Sequence, residues 1–231
     1  MRSIMLYSGG LDSVAISYLL KPDVNLFVDY GTSACKRERV HVTKTCPPPN
    51  LLVVGDVLNL SPYLLLNAIL PARNLFLVAI AAQYGNHIIL GATAGDSTRD
   101  KDALFARLAG ELFTHMYLDQ GDKVPALAAP EGVKVSVPYK HLEKDSILRA
   151  YLAAGGSPAA LLDSWSCYQH GSKECGTCRA CFRKYAALSK VDLHYPELFE
   201  THPMENFIEH FDYCEAKGRL FEIEHLIGAS K

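Results

Sequence analysis

The chain has 231 residues, 49% of them apolar, and a formal net charge of -2 at pH 7. That length can bury one good core, or one core with a small appendage, and the interspersed charges create no field of the kind that marks a nucleic-acid binder. No apolar run approaches the roughly 20 residues of a bilayer-spanning helix, and the first residues lack the charged, apolar and small-residue regions of a secretion signal, so the expectation is a cytoplasmic protein without membrane contact.

In chain order, Ser3–Tyr7 has the character of a strand and runs straight into Ser8-Gly9-Gly10-Leu11-Asp12-Ser13, with a helical pattern over Asp12–Leu20. Strand, glycine-rich turn and helix together point backbone N–H groups and the positive end of a helix at one anion. Gly9 and Gly10 let the main chain come close, and Ser8 and Ser13 add hydroxyl donors. The loop reads as a phosphate cradle, with an ordinary structural turn as the alternative. It is neither the Walker pattern, which requires Gly-Lys-Ser/Thr, nor the dinucleotide fingerprint, which spaces three glycines more widely.

Val24–Asp29 is the next expected strand, followed by a helix over Ser33–Thr45 that Pro47-Pro48-Pro49 ends, since proline fixes φ and removes a donor. Lys36, Arg37, Arg39 and Lys44 read as a solvated face of that helix, with phosphate binding as the alternative. Strands follow at Leu51–Val54, His87–Gly91 and Lys134–Pro138, and helical spacing marks Arg73–Tyr84 and Asp102–Leu118. This alternation implies right-handed crossovers and a doubly wound α/β fold, its mainly parallel five-stranded sheet covered on both faces.

After Lys144 the pattern turns helical, at Asp145–Ala154, near Ala159–Asp163, at Arg179–Ser189 and over Met204–Lys217, with no further strand. The expected division is a sheet domain at 1–155 and a helical C-terminal lobe at 156–231. Four of seven cysteines crowd into that lobe, Cys167, Cys175, Cys178 and Cys181, in two overlapping C-x-x-C steps with one cysteine upstream. In a reducing compartment such clustering argues for metal rather than disulfides. Four thiolates close a tetrahedral zinc site with no open position, so the ion is read as structural, one per chain. An iron-sulfur cluster and four unligated buried thiols are the alternatives. Cys35, Cys46 and Cys214 are isolated and read as packing residues.

The Ser8–Ser13 loop resembles the pyrophosphate loop of the ATP pyrophosphatases, which cut ATP between the α and β phosphates. The resemblance implies an adenine nucleotide alpha hydrolase-like fold. It also implies that Ser8, Gly9, Gly10, Asp12 and Ser13, with Tyr7 at the strand end, contact ATP, and that Asp12 helps to place Mg²⁺.

Loop and cysteine cluster together resemble the 7-cyano-7-deazaguanine synthases, over almost the whole chain. Asp29-Tyr30-Gly31 matches the family's Tyr-Gly pair, and Pro71-Ala72-Arg73-Asn74 its Pro-Gly-Arg-Asn, with Ala72 in place of the glycine. Gly91 stands where a glycine lets ATP approach, Lys144 in "PYKHLEKDSI" matches a family lysine, and "SCYQHG" with "CGTCRAC" resembles the zinc segment. The resemblance implies Asp12, Lys144 and Arg73 as catalytic residues and Tyr30, Arg73, Asn74 and Asp96 as substrate contacts. Arg73 offers a forked, permanently charged donor suited to a carboxylate, and Asn74 can donate and accept; against this, both residues also suit a plain helix start and Lys144 a solvated surface.

One segment departs from the family. Where the family carries Gly-Tyr-Pro-Asp-Cys-Arg around the deazapurine, the chain reads "GATAGDSTRDKDALF"; Asp96 fits the first acid and Asp100 the second, but the Tyr-Pro and Cys-Arg are missing. The expected reaction is ATP-dependent conversion of 7-carboxy-7-deazaguanine and ammonia into the nitrile through adenylated intermediates, by a homodimer. The alternatives are a relative that adenylates another carboxylate or attaches a deazaguanine to a macromolecule, a tRNA-thiolating enzyme, and a zinc-stabilised binding module without catalysis.

Overall fold

Ile4 and Met5 are adjacent in sequence and both fully buried, yet they belong to different core clusters. Leu26 and Phe27 part in the same way, as do Ile88 and Ile89. This is the period-two alternation of a strand with both faces covered. The computed structural model describes residues 1–46, 49–65, 70–117, 132–169 and 171–227. Among these, β1 (Ser3–Leu6), β2 (Val24–Val28), β3 (Leu51–Val54), β4 (His87–Leu90) and β5 (Lys134–Ser136) form one sheet in the order β3-β2-β1-β4-β5. Every pairing is parallel.

The connecting helices are α1 (Leu11–Leu20), α2 (Ser33–Thr45), α3 (Arg73–Ala81), α4 (Ala103–Tyr117) and α5 (Lys144–Ala153). Ile16 of α1, Val42 of α2 and Leu148 of α5 join Met5 and Phe27 in one cluster, while Val78 of α3 and Ala109 and Phe113 of α4 join Ile4 and Leu26 in the other. Burial of each such aliphatic or aromatic side chain contributes about 1.5–3 kcal/mol, and this two-sided burial holds the sheet between its helices. Asp102 starts α4 by accepting the Phe105 N–H at 2.7 Å, which satisfies one of the helix's orphan donors.

The short α6 (Pro158–Leu162), then α7 (Arg179–Ser189) and α8 (Phe207–Ala216), complete the chain with several single 3-10 turns. α7 packs against α5, and smaller clusters form around Trp165, Cys181 and Phe199 and around Phe182 and Ile223. No described helix is long and apolar enough to cross a membrane.

The expected strands are all present, but β1, β2 and β4 end one residue early, so Tyr7, Asp29 and Gly91 lie beyond the sheet. β5 stops at Ser136, and α3 at Ala81 rather than Tyr84. The expected helix from Met204 begins as a 3-10 turn at Pro203–Asn206 and becomes α8 only at Phe207. The end of α4 at Leu118 and the Pro47-Pro48 stop lie outside the described residues. Ala72, standing before α3, adopts φ 56°, ψ 14°, the left-handed region that glycine occupies without strain.

Candidate active site

In an open parallel sheet, ligands bind beyond the carboxyl ends of the strands, where neighbouring crossovers diverge. Between β1 and β4 this sheet has such a point, and a cavity of about 300 Å³ opens there, lined by Leu6 and Tyr7 at the end of β1, Val28 and Tyr30 at the end of β2, and Leu90 and Gly91 at the end of β4. Ser8, Gly10, Asp12, Ser13, Arg73, Asn74, Asp96 and Lys144 also line it, so the residues singled out in the sequence for nucleotide and substrate meet in one place. Gly9 is the exception: it shapes the loop without facing the cavity.

Gly9 turns the loop with φ +71°, and a Cβ on it would stand 3.0 Å from the Val42 backbone nitrogen, so only glycine lets the loop lie against α2. Ser13 Oγ donates to the Gly10 carbonyl at 2.9 Å, Gly10 N–H donates to Ser8 Oγ at 3.3 Å, and the two serine hydroxyls lie 3.3 Å apart. No side chain caps α1, which leaves its first N–H groups and the positive end of its dipole to an anion in the cavity. A Cβ at Gly91 would meet nothing closer than Met5 Cε at 3.5 Å; the space that this glycine leaves belongs to the cavity.

The charged groups are paired but not exhausted. Lys144 Nζ contacts Asp12 Oδ2 directly. Asp96 accepts the Thr93 N–H at 3.0 Å and stands 3.7 Å from Lys101 and 3.8 Å from Arg183. Burial alone would raise its pKa, but Lys101, Lys144 and Arg183 outweigh burial and hold the carboxyl well below the usual range. Lys140 donates to the Thr93 and Asp96 carbonyls at 3.1 and 2.8 Å and so holds this loop. Asn74 Nδ2 donates to the Asp100 carbonyl at 3.0 Å, which ties the start of α3 to the divergent segment.

Arg73 keeps a buried Nε without a hydrogen-bond partner among the described residues. Burial would lower its pKa, but Tyr30 and Glu38 hold it raised. Glu38 is a lining residue that sequence reasoning missed. Burial pushes its carboxyl up to about 7, with Arg73 pulling the other way and Asp29 reinforcing the rise. Burial likewise raises the Tyr30 and Tyr7 hydroxyls; Tyr7 spends its hydroxyl on Thr45 Oγ1 at 2.8 Å.

Trp165, Ser166, Tyr168, Ala180, Arg183 and Lys184 bring the C-terminal region to the same cavity. Lys184 is buried beside Glu174 at 2.7 Å and donates to the Ser164 carbonyl at 2.5 Å. Glu174 accepts the Ser166 and Cys167 N–H groups at 2.5 and 3.0 Å. Ala180, Arg183 and Lys184 are spaced three and four apart on α7, a helical face that a reading of the cysteines alone passes over.

Cys167, Cys175, Cys178 and Cys181 place their sulfurs within 4.8 Å of one another and could hold a metal ion. The contacts of 3.8 Å from Cys175 to Cys181 and 3.4 Å from Cys178 to Cys181 lie near the edge of about 3.8 Å that metal–sulfur bonds of about 2.3 Å give a tetrahedron. Backbone N–H groups of Gln169, Cys175 and Cys178 approach the sulfurs at 3.3–3.4 Å, and Cys181 lies in the first turn of α7, where the helix dipole favours thiolates. The donor set therefore fits a closed metal centre. Cys35, Cys46 and Cys214 are buried and separate from it.

Residues 54–192 match the family model of the queuosine biosynthesis protein QueC. The chain is similar to the 7-cyano-7-deazaguanine synthase of Caldicellulosiruptor bescii, at 26% identity over 87% of this chain and 98% of the relative. It is also similar to the proteins of that name from Thermoplasma acidophilum, at 27% identity over 87% and 93%, and Picrophilus torridus, at 28% identity over 91% and 98%.

Proposed function

This chain belongs to the family of the queuosine biosynthesis protein QueC, and on that premise we propose that it makes 7-cyano-7-deazaguanine from 7-carboxy-7-deazaguanine and ammonia, using ATP. The observation that carries the reading is the meeting of the Ser8–Ser13 loop with Lys144, Asp96 and Arg73 around one cavity.

The loop hydroxyls and the first N–H groups of α1 would hold the β and γ phosphates. A carboxylate oxygen of the substrate attacks the α phosphorus and pyrophosphate leaves, giving an acyl adenylate. Ammonia adds to its carbonyl carbon, AMP leaves, and a proton passes to solvent, giving the amide. The amide oxygen then attacks the α phosphorus of a second ATP, expelling a second pyrophosphate, and the adenylated amide loses AMP and its N–H protons to leave the nitrile. No enzyme nucleophile is required; the residues supply positioning and charge stabilisation. Lys144, a compact cation, would meet the charge that builds on the phosphates, and Tyr30, Asn74 and Asp96 would border the deazapurine.

Mg²⁺ bound with ATP neutralises phosphate charge, and Asp12 is the residue we assign to orient it. To the four-cysteine site we assign one structural zinc per chain, holding 156–231 as a lobe against the nucleotide-binding domain at 1–155. ATP use and reduced thiols support a cytoplasmic location. A homodimer is supported by α4, which leaves Leu104, Leu108, Leu112 and Met116 half exposed at four-residue steps along one face; sedimentation of the protein, expected to give a dimer mass, tests it.

One incubation tests the chemistry. Purified protein with Mg-ATP, ammonium and 7-carboxy-7-deazaguanine should yield AMP, pyrophosphate and the nitrile, with ATP turnover dependent on the acid. ATP turnover that ignores the acid keeps the loop assignment and sinks the acceptor.

A further inference from the structure

Arg183 is a cation of the cavity that the proposed chemistry has not used, and it is held in one orientation. Its Nε donates to Glu222 Oε2 at 3.1 Å and its Nη2 to Glu222 Oε1 at 3.0 Å, so the carboxylate grips one edge of the guanidinium. A guanidinium has five N–H donors in a fixed fork. Among the described residues the Nη1 donors are left over: their ion-pair contact, Asp96 Oδ1, stands at 3.8 Å, beyond hydrogen-bond length.

The grip does not consume the positive charge. Glu222 also accepts from Arg219 Nη2 at 3.0 and 2.8 Å, so two guanidiniums share one carboxylate. Asp96 is shared in turn with Lys101 at 3.7 Å. Four cations, Lys101, Lys144, Arg183 and Arg219, therefore face three carboxylates, Asp12, Asp96 and Glu222. Gly95 makes the arrangement possible: a Cβ there would stand 1.7 Å from Glu222 Oε1 and 2.6 Å from Arg183 Nη2.

A fixed, partly desolvated guanidinium with donors turned into a cavity is a receptor for a planar oxyanion. Lys184 spends its ammonium on Glu174 and Ser164 and Lys144 contacts Asp12; Arg73 keeps an Nε without a partner among the described residues but stands beside Tyr30 and Glu38. The anion is either the acceptor's carboxylate or a phosphate of ATP. For phosphate the glycine loop has its own donors, whereas Arg183 neighbours Asp96 and Tyr168. We propose that Arg183, oriented by Glu222 across Gly95, binds the carboxylate of the acceptor and keeps it in line with the α phosphorus. This rests on the function proposed above and adds to it the residue that selects an acid over a neutral analogue.

The test is calorimetric binding to the full-length, metal-loaded protein of 7-carboxy-7-deazaguanine, of its neutral amide, and of Mg-ATP. Wild type should prefer the acid. Arg183→Met should weaken acid binding by roughly 10- to 100-fold, the range for a lost hydrogen bond to a charged group, with amide and Mg-ATP binding held within about twofold. Glu222→Gln, a positioning change, should give a smaller loss confined to the acid, read in turnover as a raised KM with kcat little altered. Arg183→Lys keeps charge and bulk without the fork and should lose part of the acid affinity; if the methionine variant does not fold, wild-type acid affinity in the lysine variant overturns the proposal. Weaker Mg-ATP binding with acid binding retained makes Arg183 a phosphate receptor and also overturns it. A wild type that binds Mg-ATP but neither deazapurine sinks the proposed function, and this subsite with it. A wild type that turns the acid over, matched by Arg183→Met, sinks the subsite alone.

Discussion

The backbone N–H of Trp165 donates to the carbonyl of Gly9 at 3.0 Å. A residue of the cysteine-bearing region thereby completes the loop proposed to hold ATP. Trp165 is steadied by a 4.8 Å stack on His41, whose Nδ1 lies 2.7 Å from the Asp163 carbonyl. The adjoining backbone is fixed by the buried Glu174–Lys184 pair, and Glu174 precedes Cys175 of the four-cysteine cluster.

Metal removal should therefore be felt at the loop. Stripping the ion with a chelator, or Cys181→Ser, should lower Tm by about 10 °C or more, since roughly 3 kcal/mol moves a chain of this size that far. It should also abolish the extra stabilisation that Mg-ATP gives. Thermal unfolding with and without Mg-ATP decides it: full ATP stabilisation in metal-free protein would show that the loop does not depend on the lobe.

Asp12→Ala should remove ATP-dependent thermal stabilisation, whereas Lys144→Ala should retain ATP binding and lower kcat by roughly 10²- to 10³-fold, the usual loss for one charge-stabilising group. Equal effects of both substitutions on ATP affinity would count against separate roles. Steady-state kinetics beside a thermal-shift titration separates the cases.

Ala72 pays for its left-handed φ of 56°. The strain for a residue with a Cβ is about 1–2 kcal/mol, and the extra unfolded-state freedom of glycine returns about 0.5–1 kcal/mol of that. Ala72→Gly should thus gain about 0.5–1 kcal/mol in urea unfolding at unchanged m-value. A loss of stability would mean that the Ala72 methyl is packed.

Glu38 should make stability fall with pH. Its folded pKa of about 7 lies above the 4.5 of an ordinary glutamate, so the native state holds the proton more tightly. Its contribution is fully present below about pH 4.5 and lost as pH rises through about 7. Allowing for partial solvent screening, the change is roughly 1–3 kcal/mol. Glu38→Gln should therefore narrow the gap between stability at pH 5.5 and at pH 8, measured by denaturant unfolding; an undiminished gap places the titration elsewhere.

The strands, their order of appearance and the loop were legible because apolar runs broken by Gly9 and Gly10 carry the α/β pattern in local sequence. The sequence does not show that the sheet ends one residue before Tyr7, Asp29 and Gly91, of which Tyr7 and Gly91 line the cavity, because the turn away from the sheet is set by tertiary packing and not by local pattern. Glu38 was hidden among Lys36, Arg37 and Arg39, which read as a solvated face. Arg183, Glu222 and Gly95 were not legible together, since no local spacing shows that α7 and the 3-10 turn at Leu220–Glu222 converge on the loop after β4. The divergence at "GATAGDSTRDKDALF" was visible, but not that Asp96 within it is held by Lys101 and Arg183.

β1 precedes the other described strands in sequence and lies in the middle of the sheet, between β2 and β4. The loop that follows it waits for Trp165, far along the chain, before Gly9 gains its last hydrogen bond. Contacts of such sequence separation form late. The loop proposed to hold ATP is thus completed by a residue far along the chain, and ATP added to a refolding reaction should leave the early phases unchanged and stabilise only the last product. If ATP binds as proposed, its occupancy would report that the region around Trp165 has docked on the loop.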